Sequence, residues 1–272
     1  QAQSSVWKRE AKTIAVVPTM GALHDGHISL AALAREKADR VIVTIFVNPT
    51  QFGEGEDLDA YPRPLEDDLK RCEDAGVDAV FLPEVHEMYN PDSSTWVEEM
   101  MLGNGLCGGA RPGHFRGVTT IVAKLFLATL PDFGVFGEKD FQQLSVIRRM
   151  VRDLNFPVEV IPGPIVREVD GLAMSLRNRD LSKKDRMGAP AISSSFCWAL
   201  EAIKANPNVG VKETLEQISL TITKDGGEVD YVEAVDAETL EPLDDFSNQQ
   251  EIRLLAAAFF GKARLIDNMG PE

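Results

Sequence analysis

The chain has 272 residues, 44% of them hydrophobic, a formal net charge of −15 and three cysteines, Cys72, Cys107 and Cys197. This length allows one large domain or two modest ones with a substantial core, and the hydrophobic share excludes a disordered chain. The acidic balance argues against a general nucleic-acid binder, whose affinity comes from neutralised phosphates, and scattered cysteines in odd number support neither a zinc ribbon nor a disulfide framework.

The start, residues 1–12, is polar and lacks the apolar core of a signal peptide. It also lacks an initiator Met, which points to a native start trimmed or replaced. No later run reaches transmembrane length, so no membrane is expected, and reduced thiols fit the cytoplasm. Residues 13–17 read as a buried strand, being short, apolar and β-branched. Beyond Pro18-Thr19-Met20-Gly21-Ala22-Leu23-His24-Asp25-Gly26-His27, the residues Leu30, Leu33, Ala34 and Ala38 mark one helix face, with Asp25 as its expected N-cap. His24 and His27 thus stand where a strand hands over to a helix. Unpaired N–H groups and the helix dipole favour phosphate there. The plainer reading is a surface or core histidine; a metal pair would need further ligands, and the sequence supplies no obvious set.

Residues 40–47 form a near-continuous apolar run, as in a parallel strand buried on both faces. A loop follows at Asn48-Pro49-Thr50-Gln51-Phe52-Gly53, then an acidic stretch at 54–59. Pro64 suits the first turn of a helix carrying Leu65, Leu69 and Cys72, stopped by Gly76. Residues 79–82 read as a strand, and His86 beyond Pro83 as structural or solvated. Gly103-Asn104-Gly105-Leu106-Cys107-Gly108 matches the dinucleotide fingerprint letter for letter. That motif needs a strand before it and a helix opening from it, and Ala110-Arg111-Pro112-Gly113 argues against the helix, so it is rejected.

Arg111-Pro112-Gly113-His114-Phe115-Arg116-Gly117 puts two guanidiniums and an imidazole in a Gly-rich loop, a ready anion contact or simply a solvated loop. Val118, Ile121, Val122 and Leu125 then mark a helix that stops before Pro131. Residues 133–136 read as a strand, followed by Gly137-Glu138-Lys139-Asp140-Phe141-Gln142-Gln143 opening a helix, and 158–161 as another strand. Alternating strands and helices imply a right-handed, doubly wound parallel α/β sheet, with ligands at the carboxyl ends of its strands. The His24, Gln51 and Lys139 segments all fall at that edge. After Arg167-Glu168-Val169-Asp170-Gly171 the pattern changes to helices near 189–205 and 212–221 and strands near 229–235, 253–258 and 263–266, with Ser182 as a helix cap. This is a second, smaller α+β domain, so the expected division is 1–168 and 169–272.

In order, the polar blocks are PTMGALHDGH, FVNPTQF, YPR, RPGHFRGV, FGEKDFQQL, MSLRNR and GKARLIDN. The first resembles the HIGH signature of class I adenylate-forming and nucleotidyl-transferring enzymes. Met174 to Asn178 resembles their mobile KMSKS-type loop. Together, over residues 13–268, the set resembles the pantothenate synthetase (pantoate–β-alanine ligase) family. One departure stands out: the family's loop has two adjacent serines before the arginine, whereas here Ser175 is followed by Leu176.

The resemblance implies a Rossmann-like domain with a smaller second domain, a homodimer, a cytoplasmic enzyme and a two-step ligase reaction. Pantoate carboxylate attacks the ATP α-phosphate to give pantoyl adenylate and pyrophosphate; β-alanine then displaces AMP. Mg²⁺ accompanies the ATP, with Asp67 in its shell or, equally, merely a solvated helix acid. The implied catalytic residues are His24, His27, Lys139 and Arg177, with His27 the proton donor. Met20, Gly21, Gly26, Gly137, Asp140, Val166, Met174 and Ser175 join them around the nucleotide, Asp140 on the ribose and Val166 on the adenine side. Gln51 and Gln143 would hold pantoate's polar groups, Met20 and Phe46 would wall its methyls, and Tyr61, Arg111 and His114 are further substrate contacts. The competing readings are a sibling nucleotidyltransferase acting on a phosphorylated partner, a nucleotide-binding regulator on the same scaffold, and a metal-dependent hydrolase.

Overall fold

The computed structural model describes residues 1–53, 58–248 and 251–271; most of the acidic stretch at 54–59 lies outside them. The chain divides into two compact units, Gln1–Glu138 with Gln142–Pro164, and Lys139–Phe141 with Ile165–Glu272. The first unit therefore ends slightly ahead of the expected residue 168. Three residues between its last two strands go with the second unit.

The first unit holds a parallel sheet in the order β3-β2-β1-β4-β5, formed by Ile14–Thr19 (β1), Arg40–Ile45 (β2), Ala79–Phe81 (β3), Phe133–Gly137 (β4) and Glu159–Gly163 (β5). Its helices are Ala2–Arg9 (α1), Asp25–Lys37 (α2), Leu65–Asp74 (α3), Val85–Met88 (α4), Leu106–Ala110 (α5), His114–Thr129 (α6) and most of Phe141–Asp153 (α7). Alternate residues of the central strands serve the two faces. Ala15, Val17, Val41, Val43 and Val135 pack with Leu30, Ala31 and Ala34 of α2 and Cys72 of α3. On the other face Phe126 of α6 meets Phe136 edge-on at 6.2 Å. The sheet is thus doubly wound, and its order reverses between β1 and β4, the switch point where such sheets bind ligands.

Several local expectations change. A helix, α1, covers the polar start, where the sequence predicts none. His24, not Asp25, is the N-cap of α2. On α3 the expected apolar face is split: Cys72 is buried, but Leu65 and Leu69 are exposed and the residue turned inward with Cys72 is Asp68. Helix α6 begins at His114, so most of the expected basic loop is helical. The rejected fingerprint does open a helix, the five-residue α5. No strand precedes it, so the rejection stands on that ground instead. Gln142 secures this segment, accepting from Cys107 N–H and donating to the carbonyls of Leu102 and Gly105.

The second unit holds an antiparallel sheet of Glu228–Asp236 (β6), Ile252–Phe260 (β7) and Ala263–Met269 (β8). With it go Lys183–Gly188 (α8), Ala191–Ala205 (α9) and Val211–Lys224 (α10). Ser182 caps α8, its hydroxyl accepting from Asp185 N–H at 3.2 Å. The core is Phe196 of α9, Ile218 and Ile222 of α10, and Phe246, Ile252, Leu254 and Phe260. Fully buried, such side chains supply the apolar burial that holds a unit this small together.

Candidate active site

The chain leaving β1 is shaped around a buried carboxylate. Gly21 has φ +81° and Ala22 φ +49°, so successive N–H groups turn toward one point. That point is Asp68, 1% exposed. Its two oxygens accept from Ala22 N–H at 2.8 Å and Leu23 N–H at 2.7 Å. A side chain at Gly21 would meet Asp68 Oδ2 and Ile45 at 3.0 Å. Two further loop donors are engaged: Gly21 N–H reaches Thr19 Oγ at 3.2 Å and His24 N–H reaches His27 Nδ1 at 3.3 Å. The two imidazoles lie side by side, their centroids 4.1 Å apart, at the first turn of a thirteen-residue helix. The N–H groups of Asp25 and Gly26, in that first turn, have no acceptor within the helix itself. The handover therefore joins half-buried imidazoles to the positive end of a helix dipole.

The chain leaving β2 forms a second cluster. Pro49–Gln51 is a single 3-10 turn, and its last side chain is buried, 8% exposed. Gln51 Oε1 accepts from Asn48 Nδ2 at 3.1 Å, and Gln51 Nε2 lies 3.0 Å from Met20 Sδ. Asn48 is itself fixed: Tyr89 and Thr50 hydroxyls donate to its Oδ1 at 2.9 and 3.0 Å, and its Nδ2 also donates to the Gly117 carbonyl. Gly117 is required here, because a Cβ would stand 2.4 Å from the Thr50 carbonyl oxygen. Arg111 and His114 both turn to the Gln51 carbonyl, through Nη2 at 3.3 Å and Nδ1 at 2.8 Å, and to each other at 3.1 Å. The pair expected to contact substrate thus braces the turn that carries Gln51. Phe46 is buried nearby in sequence and Tyr61 packs edge-on against Phe52. Gln143, half-buried, stands in the first turn of α7 after β4.

In the second unit Lys139, Ser175 and Arg177 line one small open recess, with Leu172, Ile192 and Arg264. Ser175 caps the 3-10 turn Leu176–Asp180 by accepting from Arg177 N–H at 3.3 Å. The Lys139 side chain is 20% exposed, and its ammonium is 3.8 Å from the Asp140 carboxylate. Met174 N–H donates to the Val166 carbonyl at 2.9 Å, so these two residues are adjacent. Arg186 holds the hairpin between them through Glu168 and Asp170; its guanidinium, donating to Asp170, holds that carboxyl below its usual range.

The structure therefore brings together Met20 with Gln51, His24 with His27, Lys139 with Ser175 and Arg177, and Val166 with Met174. Asp67 is an exposed acid on α3, while its neighbour Asp68 faces inward. Sequence reasoning misses Asp68 and Asn48 as supports. Their signal, buried polar groups on otherwise ordinary elements, is invisible without burial.

A pantoate-beta-alanine ligase family model matches residues 1–270. The chain is 51% identical to the pantothenate synthetase of Thermotoga neapolitana over 97% of this chain and 94% of that one. It is 49% identical to that of Clostridium novyi over 96% and 92%. Among solved structures, the pantothenate synthetase of Thermus thermophilus is 45% identical with a TM-score of 0.89, covering 95% of this chain and 93% of that one. The pantoate-beta-alanine ligase of Francisella tularensis, complexed with beta-gamma ATP and beta-alanine, is 34% identical with a TM-score of 0.78 over 98% and 94%. Sequence blocks, strand order and relatives agree that the chain belongs to the pantoate–β-alanine ligase family.

Proposed function

We propose that the protein joins pantoate to β-alanine in an amide bond, using ATP and passing through pantoyl adenylate. The observation that carries this reading is the contact between Gln51 and Met20. A branched hydroxy acid needs a neutral amide for its polar groups and a soft apolar wall for its methyls. A phosphorylated substrate would call for lysine or arginine in that place.

In the first step a pantoate carboxylate oxygen bonds to the ATP α-phosphorus, the bond to the bridging oxygen breaks, and pyrophosphate leaves. Such a transfer asks mainly for positioning and charge stabilisation. His24 and His27 donate to phosphate oxygens from the positive end of α2, with His27 the proton donor, and the Gly21–Gly26 backbone and Gly137 allow close approach. Lys139 and Arg177 offset the charge that develops, and the Ser175 hydroxyl donates to the same phosphates. Val166 and Met174 flank the adenine and Asp140 accepts from the ribose. Gln51 and Gln143 hold the pantoate, with Phe46 and Tyr61 around it. In the second step the neutral amine of β-alanine bonds to the acyl carbon, the bond to the AMP oxygen breaks, and the amine sheds a proton. Arg111 and His114 act by bracing Gln51.

Mg²⁺ belongs to this reading as the companion of ATP. Among the described residues no group of three or more His, Cys, Asp or Glu side chains forms a cage for an ion. Asp67, an exposed carboxylate on α3, would be the protein's contribution to such an ion, which would supply charge neutralisation for the phosphates, and no step above runs through it. A cytoplasmic homodimer completes the proposal; light scattering checks the assembly, with twice the chain mass as the expected result and a single chain mass refuting it.

The test is incubation with ATP, pantoate and labelled pyrophosphate, β-alanine left out. Pantoate-dependent exchange of pyrophosphate into ATP, and a trapped acyl adenylate, are expected. Exchange only with a phosphorylated acceptor would identify the sibling transferase, and ATP binding with no exchange would identify a regulator.

A further inference from the structure

Lys139 carries a central share of the proposed chemistry, yet its own side-chain partner is a distant carboxylate at 3.8 Å. What holds it is its backbone. Asn268, at the end of β8 and 1% exposed, donates from Nδ2 to the Lys139 carbonyl at 2.9 Å. The amide can point only one way. Its Oδ1 accepts from Arg253 Nε at 2.8 Å and also from Arg253 Nη2, so a flipped amide would set NH₂ against a guanidinium.

The same guanidinium lies 4.2 Å over the ring of Phe141. Beside it, Asp267, 5% exposed, accepts from Asn268 N–H at 2.8 Å and takes both ends of Arg167 at 2.6 and 3.0 Å. The adjoining ends of β7 and β8 therefore grip residues 139 and 141 together. This accounts for the three-residue segment grouping with the second unit while the chain on both sides belongs to the first.

We propose that Asn268 is a positioning residue for the reaction, fixing the Lys139 backbone so that its ammonium stays at the recess with Ser175 and Arg177. A lysine has a long, entropically costly side chain. Anchoring its backbone fixes the point from which that side chain reaches a productive geometry. This inference rests on the assignment of Lys139 to the developing charge.

Asn268→Asp tests it. The substitution keeps the shape and gives Arg253 a full carboxylate, but replaces the donor facing Lys139 with an acceptor. The expected result is a kcat lower by about 10- to 100-fold, since misplacement of about 1 Å costs that order of rate, with pantoate KM within about twofold. In a Lys139→Ala background the same substitution should cause no further loss, because the group it positions is gone. Arg253→Gln, which frees the Asn268 amide to rotate, should repeat the pattern, and it carries the test if N268D melts below the assay temperature. Unchanged kcat in N268D, or an equal loss with and without Lys139, overturns the clamp and leaves the role of Lys139 intact. Wild-type turnover in K139A removes both.

Discussion

Asp68→Ala should unsettle the loop that delivers both histidines. The side chain is 1% exposed and holds two backbone N–H groups at 2.8 and 2.7 Å. Ala22 and Leu23, their owners, are buried as well, so water does not readily replace the carboxylate. A hydrogen bond to a charged group is worth about 1.5–3 kcal/mol, and a buried donor left unmet costs about 1–3 kcal/mol. Taken together, and allowing some relaxation, the loss is about 3–5 kcal/mol. At about 2–4 °C per kcal/mol for a domain of this size, the melting midpoint should fall by roughly 10 °C. Asp68→Asn keeps one acceptor and should lose about half as much. The measurement is thermal unfolding followed by circular dichroism, paired with pantoate-dependent pyrophosphate exchange. Exchange should fall further than stability alone requires, because positive φ at Gly21 and Ala22 no longer has a partner to maintain it. A D68A midpoint within about 2 °C of wild type would refute the idea that this carboxylate shapes the loop.

Gln51→Ala should raise the KM for pantoate by about tenfold, the worth of one to two hydrogen bonds, with a smaller change for ATP; equal effects would place pantoate elsewhere. Asp78→Asn should lower stability by about 1 kcal/mol near neutrality. Burial alone would raise the Asp78 pKa, but the Val41 N–H and the guanidiniums of Arg35 and Arg40 outweigh it and hold the group below its ordinary 3.8. A depressed carboxylate stabilises the fold above its unfolded pKa, and that stability fades as pH falls through the folded value. Melting curves should therefore separate wild type from D78N at pH 7 and converge in acid below the ordinary 3.8; a gap that widens in acid would contradict the sign.

The alternation of apolar runs with 3.6-residue periodicity is enough to read the parallel sheet, because strands buried on both faces advertise themselves. The candidate catalytic segments are legible for a related reason. Glycine, histidine, lysine and glutamine at strand-to-helix junctions are costly choices for mere connection. Helix starts are less legible: His24 caps α2 where Asp25 has the better propensity, since the imidazole of His27 reaches back to the cap N–H.

What the chain alone determines is the inventory: which strands exist, which junctions carry polar chemistry, and which family the ordered blocks resemble. What only the tertiary structure decides is how those groups are held. Asp67 and Asp68 are indistinguishable as letters, yet one faces water and the other ends in two backbone N–H groups. Arg111 and His114 are polar letters three apart until the fold turns both to the Gln51 carbonyl. Asn268 is one residue among many until its amide meets a backbone 129 positions away. The physical reason is common to all three. Periodicity records which face an element buries, whereas the partner of a buried polar group is chosen by long-range packing that no local pattern encodes.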